Sequence, residues 1–432
     1  MKNRARRRAR GPFRSLWTAA RHRWIIRTGR PPPPPLAIAV VILGSVGVVA
    51  YAGSRLDLDT PPAAAPAPEP VASRLPALPV IPVEFDGVSL EVYLQAWVPA
   101  ESRDAFLSSP VLRDKDFARS VHDWMGYWTG PASLWFPDFL ERMASLSATV
   151  DSALAVHDLP PSLRYLPLIE SGYAPGVTSR ASAVGLWQLM SPTARGLGLE
   201  VSPLVDERRH VERSTAAALE YLVDLNDEFE SWFITLAAYN SGPTRVRRIL
   251  RRHAPGEPRT DSLFWALRHH FAPETRAFLP KLYGAMWIAS NPEPYGFTSP
   301  PAERLTFEVV RVPDQTTLDV VAGAAETSYA DIVRLNPEFV RGITPAGREV
   351  TLKVPAGHAH AFEVNYSRLA PERRVTFVEH VVRPGETLSV IAMRYGIRTA
   401  EIQAANPTVS ARRLSVGARL TVPVAPEVDT EG

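Results

Sequence analysis

The chain of 432 residues contains no cysteine. A disulfide bond, a thiolate nucleophile, a metal site with cysteine ligands and a lipid anchor attached to cysteine are therefore all excluded. The histidines do not follow the HExxH spacing of a zinc protease either. We therefore expect no metal ion and no cofactor.

Net positive charge is confined to the N-terminus of the chain. Residues 1–30 carry eleven Lys and Arg side chains and no acidic one, whereas the rest of the chain carries 37 basic and 45 acidic side chains, a net charge of −8. A protein that binds nucleic acid needs its positive charge on the folded domain. No nucleic-acid partner is expected.

A long apolar run follows the basic tail of residues 1–35. Residues 36–53 contain no charged side chain, and a helix of this length lies near the short end of what spans a bilayer. The basic residues before it fit the positive-inside rule, which puts the C-terminal bulk outside the cytoplasm. We predict a transmembrane signal anchor, with a cleaved signal peptide as the alternative. Residues 54–83, rich in Pro and Ala, are predicted to be an extended linker.

Residues 84–300 follow a helical rather than a strand pattern. Apolar residues at steps of three and four predict a long helix from Phe136 to Leu154. Ser214 is a candidate N-cap of a further helix. Another helix is predicted from Trp232 to Tyr239, ending at the breaker cluster that starts at Asn240. We therefore predict an all-α domain, with its core in residues 155–260.

The C-terminal third contains an internal repeat. A shift of 70 residues aligns Thr317 with Thr387 and Asn336 with Asn406, among other pairs. Each copy follows the order strand, helix, helix, strand. The sequence thus predicts an α+β multidomain protein, in which two small βααβ modules at residues 305–357 and 378–425 follow the helical domain.

The segment from Leu159 to Met190 carries the strongest indication of chemistry. Pro160 and Pro161 can begin a helix, because the first turn does not need their missing N–H groups. Glu170 ends that helix just before Gly172, at the end of an apolar stripe. A carboxyl group in such a position is poorly solvated, which raises its pKa and suits it to act as a general acid near neutral pH.

Several separated stretches resemble the lytic transglycosylases that share the goose-type lysozyme fold, above all the membrane-bound D type with C-terminal LysM modules. The likeness covers roughly residues 125–295 and extends through the repeats to about residue 424. The matching stretches are YWTG (127–130), LRYLPLIESGY (163–173), SRASAVGLWQLM (179–190), VDERRH (205–210) and LAAYNSGPTRVRR (236–248). The resemblance implies a lysozyme-like catalytic domain.

The resemblance also implies a reaction. Glu170 is expected to be the catalytic acid/base that cleaves the β-1,4 bond between N-acetylmuramic acid and N-acetylglucosamine in peptidoglycan and leaves 1,6-anhydro ends. The substrate-binding residues implied by the matching motifs are Ser171, Ser179, Gln188, Met190, Tyr239 and Asn240. Tyr239 is expected to position the Glu170 carboxyl group.

The two repeats resemble LysM modules, which bind glycans that contain N-acetylglucosamine. In the second copy the expected glycan-binding residues are Gly385, Glu386, Thr387, Leu388, Ile391 and Asn406. The first copy has Asp314, Gln315 and Thr316 where the second has Pro384, Gly385 and Glu386. Because the turn glycine is missing there, we expect the first copy to be a degenerate packing module.

Two alternatives differ from this interpretation. A hydrolytic muramidase of the same fold would use water instead of the C6 hydroxyl, with Glu200, Asp206 or Glu207 as candidates to activate it. A scaffold without catalytic activity would use the modules to bind the wall. In each case we expect peptidoglycan strands as the partner and a location in the bacterial cell envelope, anchored in the inner membrane with the catalytic domain in the periplasm, or soluble there if the anchor is cleaved.

Overall fold

The computed structural model describes residues 103–301, 305–406, 409–410 and 414–424. The basic tail, the apolar run, the linker and the start of the predicted helical domain lie outside these residues. None of the helices within the described ranges combines the length and apolar composition that a membrane span requires. By its contacts the chain divides into two units, residues 1–199 with 211–303 and residues 200–210 with 304–432.

Within its described residues, the first unit is built from α-helices and short 3₁₀ turns. Its α-helices are α1 (Lys115–Thr129), α2 (Phe136–Val156), α3 (Leu166–Ser171), α4 (Ser191–Gly196), α5 (Val211–Phe229), α6 (Trp232–Ser241), α7 (Pro243–His253), α8 (Asp261–Ala266) and α9 (Pro273–Ser290). The prediction of a helical domain in this part of the chain is confirmed.

Two of the predicted helices begin and end where their sequence signals lie. The apolar stripe of α2 faces the core, and Ser231 caps α6 by accepting a hydrogen bond from the Ile234 N–H. Helix α6 ends at Ser241, and its C-cap Gly242 belongs to the predicted breaker cluster. The predicted N-cap Ser214 is wrong, since α5 begins at Val211. Ser214 is fully buried inside that helix, where small side chains allow close packing.

The core of the first unit is aromatic. Phe117 of α1 packs edge-on against Tyr283 of α9, with ring centroids 5.3 Å apart, and lies 5.7 Å from the ring of Phe233 of α6. Helices α1 and α9 approach closely because α9 has a glycine at the crossing: a Cβ on Gly284 would lie 3.1 Å from the Trp124 Cβ. This close approach brings the aromatic side chains of α1 alongside α9.

The 3₁₀ turn Pro161–Tyr165 that leads into α3 is fixed by buried polar contacts. Arg164 pairs with Asp151 of α2 at 3.1 Å, and both side chains are almost fully buried. The Tyr173 hydroxyl donates to the Arg164 carbonyl oxygen at 2.5 Å. Separating such a buried pair would leave an unpaired charge in the interior and would strongly destabilise the fold. These contacts therefore hold the start of α3 against α2.

The second unit contains two modules of the same design. The first consists of β1 (Phe307–Val312), α10 (Leu318–Ala324), α11 (Tyr329–Leu335) and β2 (Val350–Pro355), followed by helix α12 (Ala359–Ser367). The second consists of β3 (Phe377–Val381), α13 (Leu388–Arg394), α14 (Thr399–Ala405) and β4 (Arg419–Pro423). In each module the two strands pair antiparallel. The predicted order of strands and helices is found in both copies.

The structure refines the repeat at its last strand. The helices of the two copies are related by the predicted shift of 70 residues. Val310 pairs with Leu352 in the first copy, whereas His380 pairs with Leu420 in the second. The second copy is therefore two residues shorter between the second helix and the closing strand.

The first module is packed on more sides than the second. Phe362 and Tyr366 of α12 are buried in its core, and so is Val205 from the segment 200–210. That segment adds backbone hydrogen bonds to the module, from Asp206 N–H to the Glu338 carbonyl and from Val340 N–H to the Leu204 carbonyl. These contacts explain why residues 200–210 fold with the second unit although they lie within the predicted catalytic region.

Candidate active site

Glu170 lies in the last turn of α3, a helix of six residues. Gly172 ends the helix in the left-handed conformation, with φ 60°. A Cβ at this position would come within 2.5 Å of the Phe139 ring of α2, so the site requires glycine for its conformation and for space. The tight end of α3 places the Glu170 side chain in a half-buried position.

The surroundings of Glu170 suit a carboxyl group that exchanges a proton near neutral pH. Its pKa is raised from 4.5 to about 7: burial raises the pKa most, the Lys281 ammonium lowers it, and the Glu274 carboxylate raises it. A pKa close to the operating pH allows the same group to donate a proton and then to accept one. Glu170 therefore has the electrostatic environment of an acid/base.

Lys281 and Glu274 are functional candidates that the sequence analysis missed. Both lie on α9, and the Lys281 ammonium donates a hydrogen bond to the Ile169 carbonyl oxygen of α3 at 2.9 Å. Their spacing of seven residues puts them on one face of a helix. That spacing was visible in the sequence, but nothing local indicated that this face would meet a segment more than a hundred residues away.

The segment after α3 folds back against the end of that helix. Isolated antiparallel bridges join Thr178 to Val184 and Val184 to Leu189. The Ser171 hydroxyl donates to the Leu186 carbonyl oxygen at 2.8 Å, and the Ser179 hydroxyl accepts from the Ala183 N–H at 3.0 Å. Ser171 and Ser179 thus hold the turn segment in place beside Glu170.

The predicted residues at the far end of this segment differ in exposure. Gln188 is half-buried with φ 47°, and its side-chain amide donates to the Gly185 carbonyl oxygen at 2.8 Å. Met190 is 43% exposed. Trp187, which directly precedes Gln188 in the chain, is fully buried and donates to the Thr215 hydroxyl. The exposed Met190 thioether and the nearby Gln188, whose backbone has a positive φ, offer a surface on which a sugar can lie.

Tyr239 connects α6 to the same segment. Its hydroxyl donates to the Trp187 carbonyl oxygen at 2.6 Å, and its ring lies 5.9 Å from the ring of Tyr221. Burial and the negative charge of Glu170 raise the pKa of Tyr239 well above 10, so this phenol stays protonated. In this structure the Tyr239 hydroxyl therefore orients the turn segment, while its electrostatic coupling to Glu170 indicates that the two groups are close.

Asn240 links α6 to α9. Its side-chain oxygen accepts a hydrogen bond from the Thr275 hydroxyl at 2.7 Å, next to Glu274 in the chain. The predicted residues of the first unit thus belong to three segments, which are linked by hydrogen bonds and by the electrostatic coupling of Tyr239 to Glu170. They come from the end of α3, from the turn segment 178–190 and from the end of α6.

In the second module the predicted residues separate into two groups. Gly385 forms the turn with φ 80°, and the Thr387 hydroxyl caps α13 by accepting from the Val390 N–H. Leu388 and Ile391 are buried in the module core, at 3% and 0% exposure. The turn is available for contact with a glycan, whereas Leu388 and Ile391 are packing residues.

Glu386 and Asn406 are occupied by contacts within the module. The Glu386 carboxylate accepts from the Arg383 N–H and from His380, and these bonds lower its pKa to about 2. The Asn406 amide donates to the Ile402 and Thr421 carbonyl oxygens and accepts from the Thr421 N–H. Both side chains therefore fix the shape of the module.

Comparison with known proteins supports the resemblance drawn from the motifs. The profile of the transglycosylase SLT domain matches residues 151–260, that of the LysM domain residues 380–423, and that of the LysM-like domain of lytic transglycosylase MltD residues 306–370. Membrane-bound lytic murein transglycosylase D of Escherichia coli K12, and the protein of the same name from strain O6:H1, are each 31% identical to this chain over 277 residues.

The match covers 61% of this chain and 60% of each of these relatives, so it spans less than two thirds of their length. A solved structure, the 70 kDa soluble lytic transglycosylase of Escherichia coli, is 20% identical, with 50% of this chain and 42% of that chain covered and a TM-score of 0.28. The predicted resemblance, a helical transglycosylase domain followed by modules of LysM type, is confirmed by the domain matches.

Proposed function

We propose that this chain, which carries a transglycosylase SLT domain and is homologous to membrane-bound lytic murein transglycosylase D, is a peptidoglycan lytic transglycosylase. The observation that carries the proposal is the half-buried Glu170 carboxyl group, whose pKa burial raises to about 7. A group of this kind is protonated in a sufficient fraction of molecules to act as an acid at neutral pH.

In the first step Glu170 protonates the glycosidic oxygen between N-acetylmuramic acid and N-acetylglucosamine. The bond from the muramoyl C1 to that oxygen breaks, and the N-acetylglucosamine leaves with its C4 hydroxyl restored. The N-acetyl oxygen of the muramoyl sugar supports the positive charge that develops at C1. Glu170 is left as a carboxylate.

In the second step the Glu170 carboxylate takes the proton of the C6 hydroxyl on the same sugar, and the C6 oxygen bonds to C1. The product is a 1,6-anhydro ring, no water is consumed, and Glu170 is protonated again. The tethered hydroxyl competes with water because its effective concentration is high. We assign the positioning of the sugar rings to Ser171, Ser179, Gln188, Met190, Tyr239 and Asn240.

This proposal predicts a product that mass spectrometry identifies. The whole chain, purified in detergent and incubated with peptidoglycan, should release fragments that end in anhydro-muramic acid, and Glu170→Gln should release none because it can neither donate nor accept the proton. An anhydro end is lighter than a hydrolysed end by one water. Release of anhydro products by Glu170→Gln at the wild-type rate would contradict the role of Glu170.

The electrostatic contact between Glu170 and Glu274 favours a second candidate function, a hydrolytic muramidase. A second carboxylate near the acid can activate a water molecule, as in glycosidases that use two carboxyl groups. The three acids that the sequence suggested for this role are occupied in the second unit. Glu200 pairs with Arg348 at 2.6 Å, and Asp206 pairs with Arg208 at 2.7 Å. The Glu207 carboxylate accepts from the Glu200 N–H at 2.7 Å. Fragments with reducing ends and no anhydro mass would favour this candidate.

We assign the second module, residues 378–425, to glycan binding, and the first, residues 305–357, to packing. The match to the LysM domain and the exposed apolar side chains Val390 and Met393 on α13 support the first assignment. The buried contacts of the first module with α12 and the segment 200–210 support the second. We further propose an envelope protein that residues 36–53 anchor in the inner membrane and residues 54–83 connect to a periplasmic domain at residues 84–300.

A further inference from the structure

Lys281 of α9 is half-buried, and its side chain lies against the end of α3, the helix that carries Glu170. Its ammonium group donates to the Ile169 carbonyl oxygen of α3 at 2.9 Å. Carbonyl groups in the last turn of a helix lack partners within the helix, and a cation there also complements the helix dipole. The contact therefore ties α9 to the turn that orients the Glu170 side chain.

Two indole rings hold the same ammonium group. The Lys281 Nζ atom lies 5.9 Å from the ring centroid of Trp124 and 5.8 Å from that of Trp128, within the range of a cation–π interaction. Both tryptophans belong to α1, which Gly284 allows to approach α9 closely. The cation is thus fixed from α1 and α3 at once, so its position relative to Glu170 is determined by packing.

We propose that Lys281 is a positioning residue for the reaction of Glu170, holding the end of α3 through Ile169 and placing one positive charge beside the carboxyl group. This inference rests on the proposed function, since it assigns Lys281 a part in the same proton exchange. The charge offsets part of the effect of burial on Glu170, so that the carboxylate formed in the first step is stabilised.

The charges around Glu170 come from several elements. Helix α9 contributes Lys281 and Glu274, and α6 contributes the protonated Tyr239. From α2, Arg142 donates to the Gly172 carbonyl oxygen at 2.7 Å, at the cap of α3. Burial lowers the pKa of Lys281, whereas Glu170 and Glu274 raise it. The two carboxyl groups and the ammonium group therefore form one electrostatic set.

The direction of the expected effect follows from the protonation state that the reaction needs. Glu170 must be protonated to begin the reaction, so kcat/KM falls as the pH rises through the Glu170 pKa. Without the positive charge of Lys281 that pKa is higher, and the alkaline fall of activity moves to higher pH. An opposite charge at short range accounts for a shift of about one pH unit or more.

Three substitutions separate the charge from the hydrogen bond. Lys281→Gln keeps a donor for Ile169 but no charge, Lys281→Met keeps neither, and Lys281→Arg keeps both. We expect the alkaline fall of kcat/KM to move up by about one pH unit in the Gln and Met variants and to stay in place in the Arg variant. Lys353→Met is the matched control, because Lys353 lies over the Phe307 ring in the first module and is part of neither the helix end nor the site.

A second measurement leaves Lys281 unchanged. The chain has four lysines, Lys2, Lys115, Lys281 and Lys353, so lysine labelled with ¹³C gives few signals to resolve. In Glu170→Gln the pKa of Lys281 should fall relative to the wild type, because the carboxylate that raises it is gone. The signals of the other three lysines serve as internal controls.

The outcomes of these experiments distinguish the two levels of inference. An unchanged pH profile in both neutral variants, together with an unchanged Lys281 pKa in Glu170→Gln, overturns the role of Lys281. Absence of anhydro products from the wild-type chain overturns the proposed function instead. In that case the lysine titration still reports whether Lys281 and Glu170 are electrostatically coupled.

Discussion

Glu170 links the proposed reaction to the stability of the protein. Its pKa is 4.5 in its ordinary state and about 7 in the folded protein, because burial disfavours the charged form. Folding therefore binds a proton between these two pH values, and the folded state loses stability as the pH rises through this range. The raised pKa that keeps Glu170 partly protonated at neutral pH therefore lowers the stability of the folded state at that pH.

This linkage predicts that Glu170→Gln is more stable than the wild type at high pH. The difference in unfolding free energy should be small near pH 4.5, increase up to about pH 7 and remain constant above it. The shift corresponds to about 3 kcal/mol at most, and solvent screening at a half-buried group reduces the value to about 1–2 kcal/mol. Urea unfolding at several pH values measures it, and a difference that does not depend on pH would contradict the raised pKa.

At the scale of elements, the end of α3 depends on a single glycine. Gly172 has a positive φ, and the Phe139 ring occupies the space in which a Cβ would lie. The Arg142 guanidinium bonds to the carbonyl oxygen of this same residue. The conformation of one residue thus sets the direction of the helix end and with it the position of Glu170.

Gly172→Ala is expected to destabilise the first unit by about 2–4 kcal/mol, because alanine strains the left-handed conformation and its Cβ collides with Phe139. It should also lower the rate of anhydro product release by displacing Glu170. Gly198→Ala is the matched control: Gly198 has φ 86°, but no atom lies within 4 Å of the added Cβ. Its cost should be about 1 kcal/mol. Thermal unfolding of both variants checks the difference, and equal losses would contradict the collision.

On the scale of the whole molecule, both modules contain an asparagine that makes the same three hydrogen bonds. In the first, the Asn336 amide bonds to the Ile332 and Lys353 carbonyl oxygens and to the Lys353 N–H. Asn406 makes the corresponding three bonds in the second module. Each asparagine joins the end of its second helix to the closing strand, so each stabilises its module.

The proposed division of labour between the modules predicts different effects of the same substitution. Asn336→Ala and Asn406→Ala each leave buried groups without partners, which should cost about 2–4 kcal/mol. Only Asn406→Ala should weaken sedimentation of the chain with purified peptidoglycan, because the second module is proposed to bind the glycan. Equal loss of sedimentation in both variants would assign glycan binding to the first module as well.

The sequence by itself determined the helical character of the first unit, the repeat and the candidate acid. These follow from local patterns: apolar steps of three and four for α2, the breaker cluster after α6, and a carboxyl group at the end of an apolar helix. The helices of the two modules also lie at the predicted spacing. Such signals are contained within a few neighbouring residues, so they can be interpreted without knowledge of the fold.

Other features were decided only by the tertiary structure. Lys281 and Glu274 reach Glu170 because α9 packs closely on α1 at Gly284 and bonds to α3 through Lys281, and no local pattern encodes that packing. Ser214 looked like a helix cap, but packing continues α5 back to Val211. The segment 200–210 folds with the second unit through long-range contacts. Burial, electrostatic coupling and packing depend on residues far apart in the chain, and only the folded molecule brings those residues together.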